Sequence, residues 1–312
     1  MGRYVVQRMG YMVITLLIIV TITFFLMQLL PGTPFSNPEK LSERQLELMS
    51  AKYGLDKPLA IQYMTYIGNL IQGDLGLSFQ SEGRTVISMI GDRIGPSALI
   101  GGQAVVIGVL CGFILGVISA LKHNTIFDYG SVFVAVIGMS IPSFVFAALM
   151  QYYIGVQWGL LPVALWKDYS YSIMPSLALS AMVIATVARF IRSEMLEVLG
   201  QEFVTTARAK GITEFVVIIR HVLRNALIPV VTVLGPLTVS IMTGTLVIEK
   251  IFAVPGLGEQ FTLSILVNDY SVILGITLFY SALFIFIVFI VDILYGILDP
   301  RISMGGGKKD AA

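Results

Sequence analysis

Long apolar stretches dominate the hydrophobic pattern of this chain. Six of them reach the roughly 20 residues that a helix needs to cross the hydrocarbon core of a bilayer, and none shows the two-residue alternation of membrane-barrel strands. Because lipid offers no hydrogen bonds to an exposed backbone, we expect all six to be α-helices. The pattern therefore predicts an all-α, polytopic membrane protein. Its six predicted transmembrane helices are residues 10–30, 97–121, 129–155, 173–191, 226–248 and 271–297.

Composition supports this prediction. Of the 312 residues, 56% are hydrophobic and only 12% are charged, whereas a soluble domain has about 25% charged residues. The net charge is only +1, and lysine and arginine form no basic stripe. Membrane lipid is therefore the expected surrounding, and no nucleic-acid partner is predicted.

Lysine and arginine gather beside alternate spans, which predicts the orientation in the membrane. With the N-terminus inside, the short segments on that side hold most of the basic residues, whereas the short loops on the other side hold only Lys167 and Lys250. Cytoplasmic loops carry this excess, so both termini are predicted to be cytoplasmic. The predicted organisation is a cytoplasmic N-terminus (1–9), a first transmembrane helix (10–30), an ordered extracytoplasmic loop (31–96), a core with the other five transmembrane helices (97–298) that includes a cytoplasmic loop (192–225), and a cytoplasmic tail (299–312).

The long first loop contains the patterns of two helices. Ser42 and Gln45 form a capping box, and Gly54 is placed to end the helix that follows them. A second helical stretch, PLAIQYMTYIGNLIQG, is rich in apolar residues. It is expected to lie on the membrane surface, to dock a partner, or to belong to a folded lid without a partner.

Glycines bracket a short segment of the cytoplasmic loop. Gly200 and Gly211 flank QEFVTTARAK, which contains no Gly or Pro, so we expect a helix of about 15 Å with a glycine at each end. A second helix is expected to start at Thr213 as its N-cap. At 100° per residue, the predicted apolar face consists of Phe203, Val204, Ala207 and Gly211, and the opposite side of Glu202, Thr205, Thr206, Ala209 and Lys210.

The small residues on that face favour a protein as its partner. Ala207 and Gly211 are too small to anchor a helix in lipid but would let another chain approach closely, and Phe203 is the one large anchor. Binding of a helix in a groove uses this pattern, whereas a helix in the headgroup layer needs more apolar area. Docking to a protein is therefore favoured over the lipid interface.

This segment resembles the cytoplasmic coupling motif of ABC importer permeases. The family pattern is Glu-Ala-Ala, three residues, Gly, nine residues, Ile, one residue, Leu-Pro; Ala207, Gly211 and Leu223 match it. The departures are Thr205 and Thr206 for Glu-Ala, His221 for Ile and Arg224 for Pro. TARAKG, RHVLRNALIPVV, YGLDKPLAIQY, GDLGLSF, FAVPGLGE and VDILYGILDPRI are similar to segments of the B-type permease of the oligopeptide and dipeptide branch.

The resemblance implies a type I ABC importer permease fold in a prokaryotic cell membrane. It implies a homologous C-type permease subunit, two ATPase subunits that bind ATP and Mg, and an extracytoplasmic peptide-binding protein. The cargo would be oligopeptides or dipeptides, although related permeases carry nickel or other small solutes. The residues expected to couple to the ATPases are Glu202, Phe203, Thr206, Ala207, Arg208, Lys210 and Gly211, with Phe203 and Ala207 as groove contacts.

Catalytic chemistry is not predicted in this chain. It contains neither the GxxxxGK[ST] loop that binds nucleotide phosphates nor an HExxH zinc motif, so no catalytic or metal site is expected. A secondary carrier or channel would need charges inside its spans. The one acidic residue predicted well inside a span is Asp292, which is expected to pair with Arg301 or a neighbouring helix.

Glycine and proline patterns suggest packing faces and a translocation path. Gly108, Gly112 and Gly116 form overlapping GxxxG patterns and are expected to pack against another helix. Gly235 and Pro236 are expected to break the fifth transmembrane helix, and broken helices line the cavities of transporters. The predicted path residues are Thr232, Ser240 and Thr243, with Ser140 and Ser143 as further candidates in the third transmembrane helix.

Overall fold

The computed structural model describes residues 2–29, 34–35, 42–243 and 246–298. This part of the chain is helical, apart from turns and one isolated β-bridge between Leu77 and Thr85, so the all-α prediction is confirmed. Two π-helical segments, Gln151–Gln157 and Ile218–Leu223, continue α-helices. The α-helices are α1 (Gly2–Met27), α2 (Glu43–Tyr53), α3 (Leu59–Ile71), α4 (Val86–Leu121), α5 (Ile126–Ser140), α6 (Ser143–Met150), α7 (Ser170–Leu199), α8 (Glu202–Ala209), α9 (Glu214–Val217), α10 (Arg224–Thr243), α11 (Leu246–Phe252), α12 (Leu257–Leu266) and α13 (Tyr270–Leu298).

The described helices provide four straight candidate membrane spans and two bent ones. Four helical segments are long and apolar enough by themselves, and two bent helix pairs bring the number to six if each pair crosses once. The bent pairs correspond to the third and fifth predicted transmembrane helices. The straight candidates are Val6–Met27, Val86–Leu121, Ser170–Leu199 and Tyr270–Val291.

The third predicted transmembrane helix is not straight. Ile126–Ser140 and Ser143–Gln157 are bent by 100° relative to each other. The bend lies at Ile141, whose backbone is extended (φ −91°, ψ 120°) directly before Pro142. A proline disfavours helical geometry in the residue that precedes it. The IPS sequence therefore ends α5 where the hydrophobic pattern predicted continuous helix.

The predicted break at Gly235 and Pro236 is wrong. α10 continues through both residues, and the 50° bend lies earlier, between Leu227 and Pro229. Proline is tolerated inside transmembrane helices, and Gly235 serves close packing: a Cβ atom there would lie 2.7 Å from Cγ2 of Val291. The glycine therefore brings α10 close to α13.

The start of the second predicted transmembrane helix also differs. α4 begins at Val86, well before residue 97, and contains Pro96. Two charged residues of its first turns have partners, since Asp92 pairs with Arg84 and Arg93 donates to Glu259 at 2.9 Å. This segment was predicted to belong to the first loop (31–96). Local ion pairs allow it to be helical.

The described chain divides into two compact units. The larger contains Pro96–Pro255 and the helical residues from Phe284 onward, and its core lies around α7. There the GxxxG stripe of α4 meets α7: a Cβ at Gly108, Gly112 or Gly116 would come within 3.0 Å of Val183, Val187 or Ile191, respectively. The predicted helix-packing face is confirmed.

The smaller unit contains Val6–Gly95 and Gly256–Leu283. Its α2 has the predicted capping box between Ser42 and Gln45, and it ends at Gly54 with φ +69°. α3 packs beside α1, where the hydroxyls of Thr21 and Tyr63 lie 2.7 Å apart and the rings of Phe24 and Tyr63 are 5.4 Å apart. Both predicted helices of the first loop are therefore present.

Candidate functional site

α8 is the short helix that the glycine pattern predicted. α7 ends at Leu199 with Gly200 as its cap, and Gln201 is the extended N-cap residue of α8. At the other end, Gly211 has φ +74°, a left-handed conformation that other residues adopt at a cost. α9 then begins after the extended N-cap Thr213, as predicted. Two tight turns therefore hold α8 between α7 and α9.

The structure divides the predicted apolar face of α8. Val204 is fully buried, and Ala207 is only 5% exposed, within the core of the larger unit. Phe203, by contrast, is 44% exposed. Phe203 and Val204 are 100° apart on the helix, and the branched Val204 is the residue that fills the core. The prediction that Ala207 contacts a partner's groove is therefore wrong: it attaches α8 to its own chain.

The exposed side of α8 carries Phe203, Thr206 and Lys210, which follow each other at helical spacing. Within the described chain, Glu202 and Lys210 have no ion-pair partner, and the Thr206 hydroxyl donates to the Glu202 carbonyl at 2.9 Å. This side offers one aromatic ring with a charge on either side of it. It is chemically suited to docking a protein.

Arg208 is committed to a bond inside the loop. Its Nη2 and Nε lie 2.6 and 3.1 Å from Oε1 and Oε2 of Glu214, the first residue of α9. This hydrogen bonding raises the pKa of the Arg208 guanidinium. Both side chains are substantially exposed, so solvent screens the pair and it contributes little to stability. Arg208, which was predicted to couple to the ATPases, thus ties α8 to α9 across the Gly211 turn.

Two exposed apolar side chains on the far side of that turn were not predicted from the sequence. Phe215 is 75% exposed and Ile219 is 47% exposed, four residues apart on one helical face. Their spacing was available in the sequence, but the segment had been treated only as a lead into the fifth span. Together with Phe203, Thr206 and Lys210, they form the surface that we call the loop face.

A buried ion pair lies at the end of α7 that leads to α8. Asp128 of α5 is 1% exposed, and its carboxylate accepts bonds from Nε and Nη2 of Arg192 at 2.7 and 3.0 Å. It also accepts from the backbone N–H of Asn124 and from Ser119, and it lies 2.9 Å from Nδ1 of His123. The cluster joins α4, α5 and α7 into one body. Sequence spacing gave no sign of it, because Asp128 and Arg192 are 64 positions apart.

The predicted path residues lie on three helices. Thr232 and Ser240 are exposed along one side of α10 with Pro236 between them, and Ser140 and Ser143 flank the bend between α5 and α6. Ser140 is exposed and Ser143 is partly buried. The side chains of Thr243 and Asp292, and Arg301, lie outside the described residues. Thr232 and Ser240 thus form an exposed polar stripe on the largely apolar α10.

One further acidic residue of the larger unit is buried in its core. Glu249 of α11 is fully buried and accepts a bond from Ser97 of α4 at 2.7 Å. Across the described ranges, no group of three or more His, Cys, Asp or Glu residues is placed to hold a metal ion. The candidate site consists of the loop face and the exposed stripe of α10.

Two family models match this chain. Residues 112–304 match the family described as binding-protein-dependent transport system inner membrane component, and residues 1–97 match the N-terminal region of such membrane components. Together they cover both the exposed stripe of α10 and the whole loop face.

Individual relatives match over nearly the full length. The dipeptide transport system permease protein DppB of Lactococcus lactis subsp. cremoris is 43% identical over 97% of this chain and 100% of its own length. The oligopeptide transport system permease protein OppB of Salmonella typhimurium is 41% identical over 97% of this chain and 99% of its own. The solved structure of the MetNI methionine ABC transporter in an inward-facing conformation matches with a TM-score of 0.55 and 16% identity, over 70% of this chain and 99% of that chain. This last likeness shows the fold.

Proposed function

This chain belongs to the family of binding-protein-dependent transport system inner membrane components, and from that premise we propose that it is half of the translocation path of an ATP-driven peptide importer. The family consists of transport permeases whose ATP hydrolysis takes place on separate ATPase subunits. Membership therefore decides against a secondary carrier or channel and against an enzyme. The chain is a multi-pass membrane protein with an ABC importer permease fold.

Peptides are the proposed cargo. The observation that carries this is the identity of 41–43% to permeases named for dipeptide and oligopeptide transport, over 97% of the chain. The exposed side of α10 agrees with it, since Thr232 and Ser240 offer hydroxyls without fixed charge. A path of this kind suits peptides of mixed charge. Thr232, Ser240 and Thr243 are proposed to line it, and Ser140 and Ser143 to lie near it.

The loop face is proposed to be the coupling surface for the ATPases. Phe203 offers an exposed anchor, Phe215 and Ile219 extend it, and the rest of α8 is fixed to the core through Val204 and Ala207. A push on Phe203 would therefore move α7 and α9 together with α8. Glu202, Thr206 and Lys210 are proposed to surround the anchor, and Gly211 to allow the left-handed turn that ends α8.

The proposed assembly contains this chain, a homologous C-type permease subunit, two ATPase subunits that bind ATP and Mg, and an extracytoplasmic peptide-binding protein. Both termini are proposed to be cytoplasmic, in a prokaryotic plasma membrane. The binding protein would deliver its cargo near the first loop and the FAVPGLGE segment. No cofactor is proposed for this chain itself.

Uptake into vesicles tests the cargo. The chain and its partner subunits would be reconstituted with the binding protein, and labelled dipeptide, labelled pentapeptide and nickel would be compared with and without ATP. ATP-dependent uptake of either peptide is the expected result. Uptake of nickel, the alternative cargo within this family, without uptake of peptide would overturn the peptide proposal and leave the family assignment intact.

A further inference from the structure

A groove opens on the surface of the larger unit, beside the buried Asp128–Arg192 pair. Its volume is about 230 Å³, and α4, α5 and α7 form its walls. Val132, Val136 and Met139 line one wall, at the helical spacing of i, i+4 and i+7 along α5. Ser119, Arg189 and Arg192 lie at the groove as well. It therefore combines a long apolar wall with polar and cationic groups.

The two kinds of lining are separated along the groove. α4 ends at Leu121 and α5 begins at Ile126, so Ser119 lies near the turn between them, as does Arg192 through its bonds to Asp128. Val132, Val136 and Met139 run away from that turn along α5. The cationic end is therefore at the proposed cytoplasmic side, and the apolar wall extends toward the middle of the membrane.

Arg189 is the second cation of the groove, beside Arg192. Arg192 is occupied by Asp128, at 2.7 and 3.0 Å. Arg189 is exposed, and within residues 2–29, 34–35, 42–243 and 246–298 it makes no hydrogen bond or ion pair. A charge in a membrane-spanning helix is costly unless it meets a counter-ion or water. A negative group beside Arg189 would satisfy it.

The surroundings of α5 favour lipid over a second protein chain. Outside the groove, the same helix exposes Phe127 (61%), Tyr129 (63%) and Phe133 (64%), which is typical of a helix that faces acyl chains with aromatic rings near the headgroups. The groove belongs to that lipid-facing side. Its cationic end also matches the position of phosphate in the cytoplasmic leaflet.

We propose that the groove holds one anionic phospholipid, with an acyl chain along Val132, Val136 and Met139 and its phosphate on Arg189. Guanidinium groups bind phosphate through paired hydrogen bonds, and basic pockets between transmembrane helices on the cytoplasmic side bind anionic headgroups. The lipid would hold α5 to α7 beside the Asp128 cluster, at the end that leads to α8. This inference depends on the proposed orientation of the chain in the membrane and not on whether the cargo is a peptide.

Lipid retention by the assembled importer tests the proposal. The complex would be purified from nanodiscs that contain equal amounts of phosphatidylglycerol and phosphatidylcholine, and the lipids retained would be counted by native mass spectrometry. Arg189→Ala removes the cation, and Val136→Trp fills the apolar wall. The matched controls are Arg220→Ala, which removes an exposed cation elsewhere, and Phe133→Trp, on α5 but outside the groove.

Wild type and both controls are expected to retain phosphatidylglycerol in preference to phosphatidylcholine. Arg189→Ala should reduce that retention about fivefold, the factor that corresponds to about 1 kcal/mol per cation at an anionic surface, and Val136→Trp should reduce retention of both lipids. Retention unchanged in both groove variants would overturn the proposal. So would a cross-link from Val136→Cys to the partner permease, because the groove would then be a subunit interface.

Discussion

Two short helices outside the candidate membrane spans, α3 and α8, are attached to the molecule in different ways. α3 contains no fully buried residue and packs on α1 through the side chains of Tyr63 and Tyr66. α8 is shorter, yet it buries Val204 and Ala207 in the core of the larger unit and has a glycine turn at its far end. A helix held only by its surface can shift by itself. A helix held by its core must move its neighbours, which is what coupling to an ATPase requires.

The largest loss of stability is expected from a charge on the inward face of α8. Val204→Asp would bury an unpaired carboxylate and should destabilise the larger unit by at least about 3 kcal/mol, seen as a large drop in the thermal unfolding midpoint of the purified chain. The matched change on α3 is Met64→Asp, at a side chain that is 69% exposed, and it should shift the midpoint far less. Equal shifts would mean that α8 is attached no more firmly than α3.

A second change removes the anchor of the loop face without touching the core. Phe203→Ala should weaken ATPase binding by about 2 kcal/mol or more, the loss typical of a central aromatic contact, and should leave the unfolding midpoint unchanged. Titration of the purified permease pair with the ATPase subunits measures the affinity. Met64→Ala on α3 serves as the control. If Phe203→Ala binds like wild type, Phe203 is not the anchor.

The glycines that end α2 and α8 provide a matched pair of substitution sites. Gly54 after α2 and Gly211 after α8 both have left-handed backbones, with φ +69° and +74°, and a Cβ atom would meet nothing within 4 Å at either position. Valine should therefore cost about 1–2 kcal/mol of stability at each. Only Gly211→Val is expected to reduce peptide-stimulated ATP hydrolysis. A comparable loss in Gly54→Val would show that backbone strain anywhere in the chain has this effect.

The smallest expected effect concerns the ion pair between α8 and α9. Arg208→Ala and Glu214→Ala should each lower stability only slightly, and the loss should shrink at high salt because both groups are exposed. A double-mutant cycle on the unfolding free energy would isolate the pair. A coupling energy of zero at low salt would show that the Gly211 turn alone fixes the angle between α8 and α9.

The hydrophobic pattern predicted helix type and approximate position well, because each apolar run exceeds the thickness of a bilayer. It failed where proline decides the local geometry: Pro142 bends the third predicted transmembrane helix, whereas Pro236 leaves α10 continuous. The flanking glycines, Gly200 and Gly211, predicted both ends of α8 to within one residue. Which side of α8 faces inward could not be read, since Phe203 and Val204 are both apolar and only the packing against the core chooses between them.

The charge cluster at Asp128 was unpredictable for a different reason. Asp128 and Arg192 lie at the ends of two predicted transmembrane helices, where charges are ordinary, and only the tertiary packing of α5 on α7 brings them together. The loop face was predicted only in part. Phe203 was recognised because it lies on the predicted short helix, whereas Phe215 and Ile219 come after the Gly211 turn and were not considered. A helical wheel drawn for residues 214–223 would have found them.

Site-directed cross-linking of α8 in the assembled complex tests coupling through this helix most directly. Cys111 is the single cysteine of the chain, so Cys111→Ser provides a background for Phe203→Cys on α8, Phe215→Cys on α9 and Met64→Cys on α3. Cross-links from positions 203 and 215 to an ATPase subunit are expected, and none from position 64. If neither position 203 nor position 215 forms such a cross-link, although soluble thiol reagents label both, coupling through α8 is contradicted.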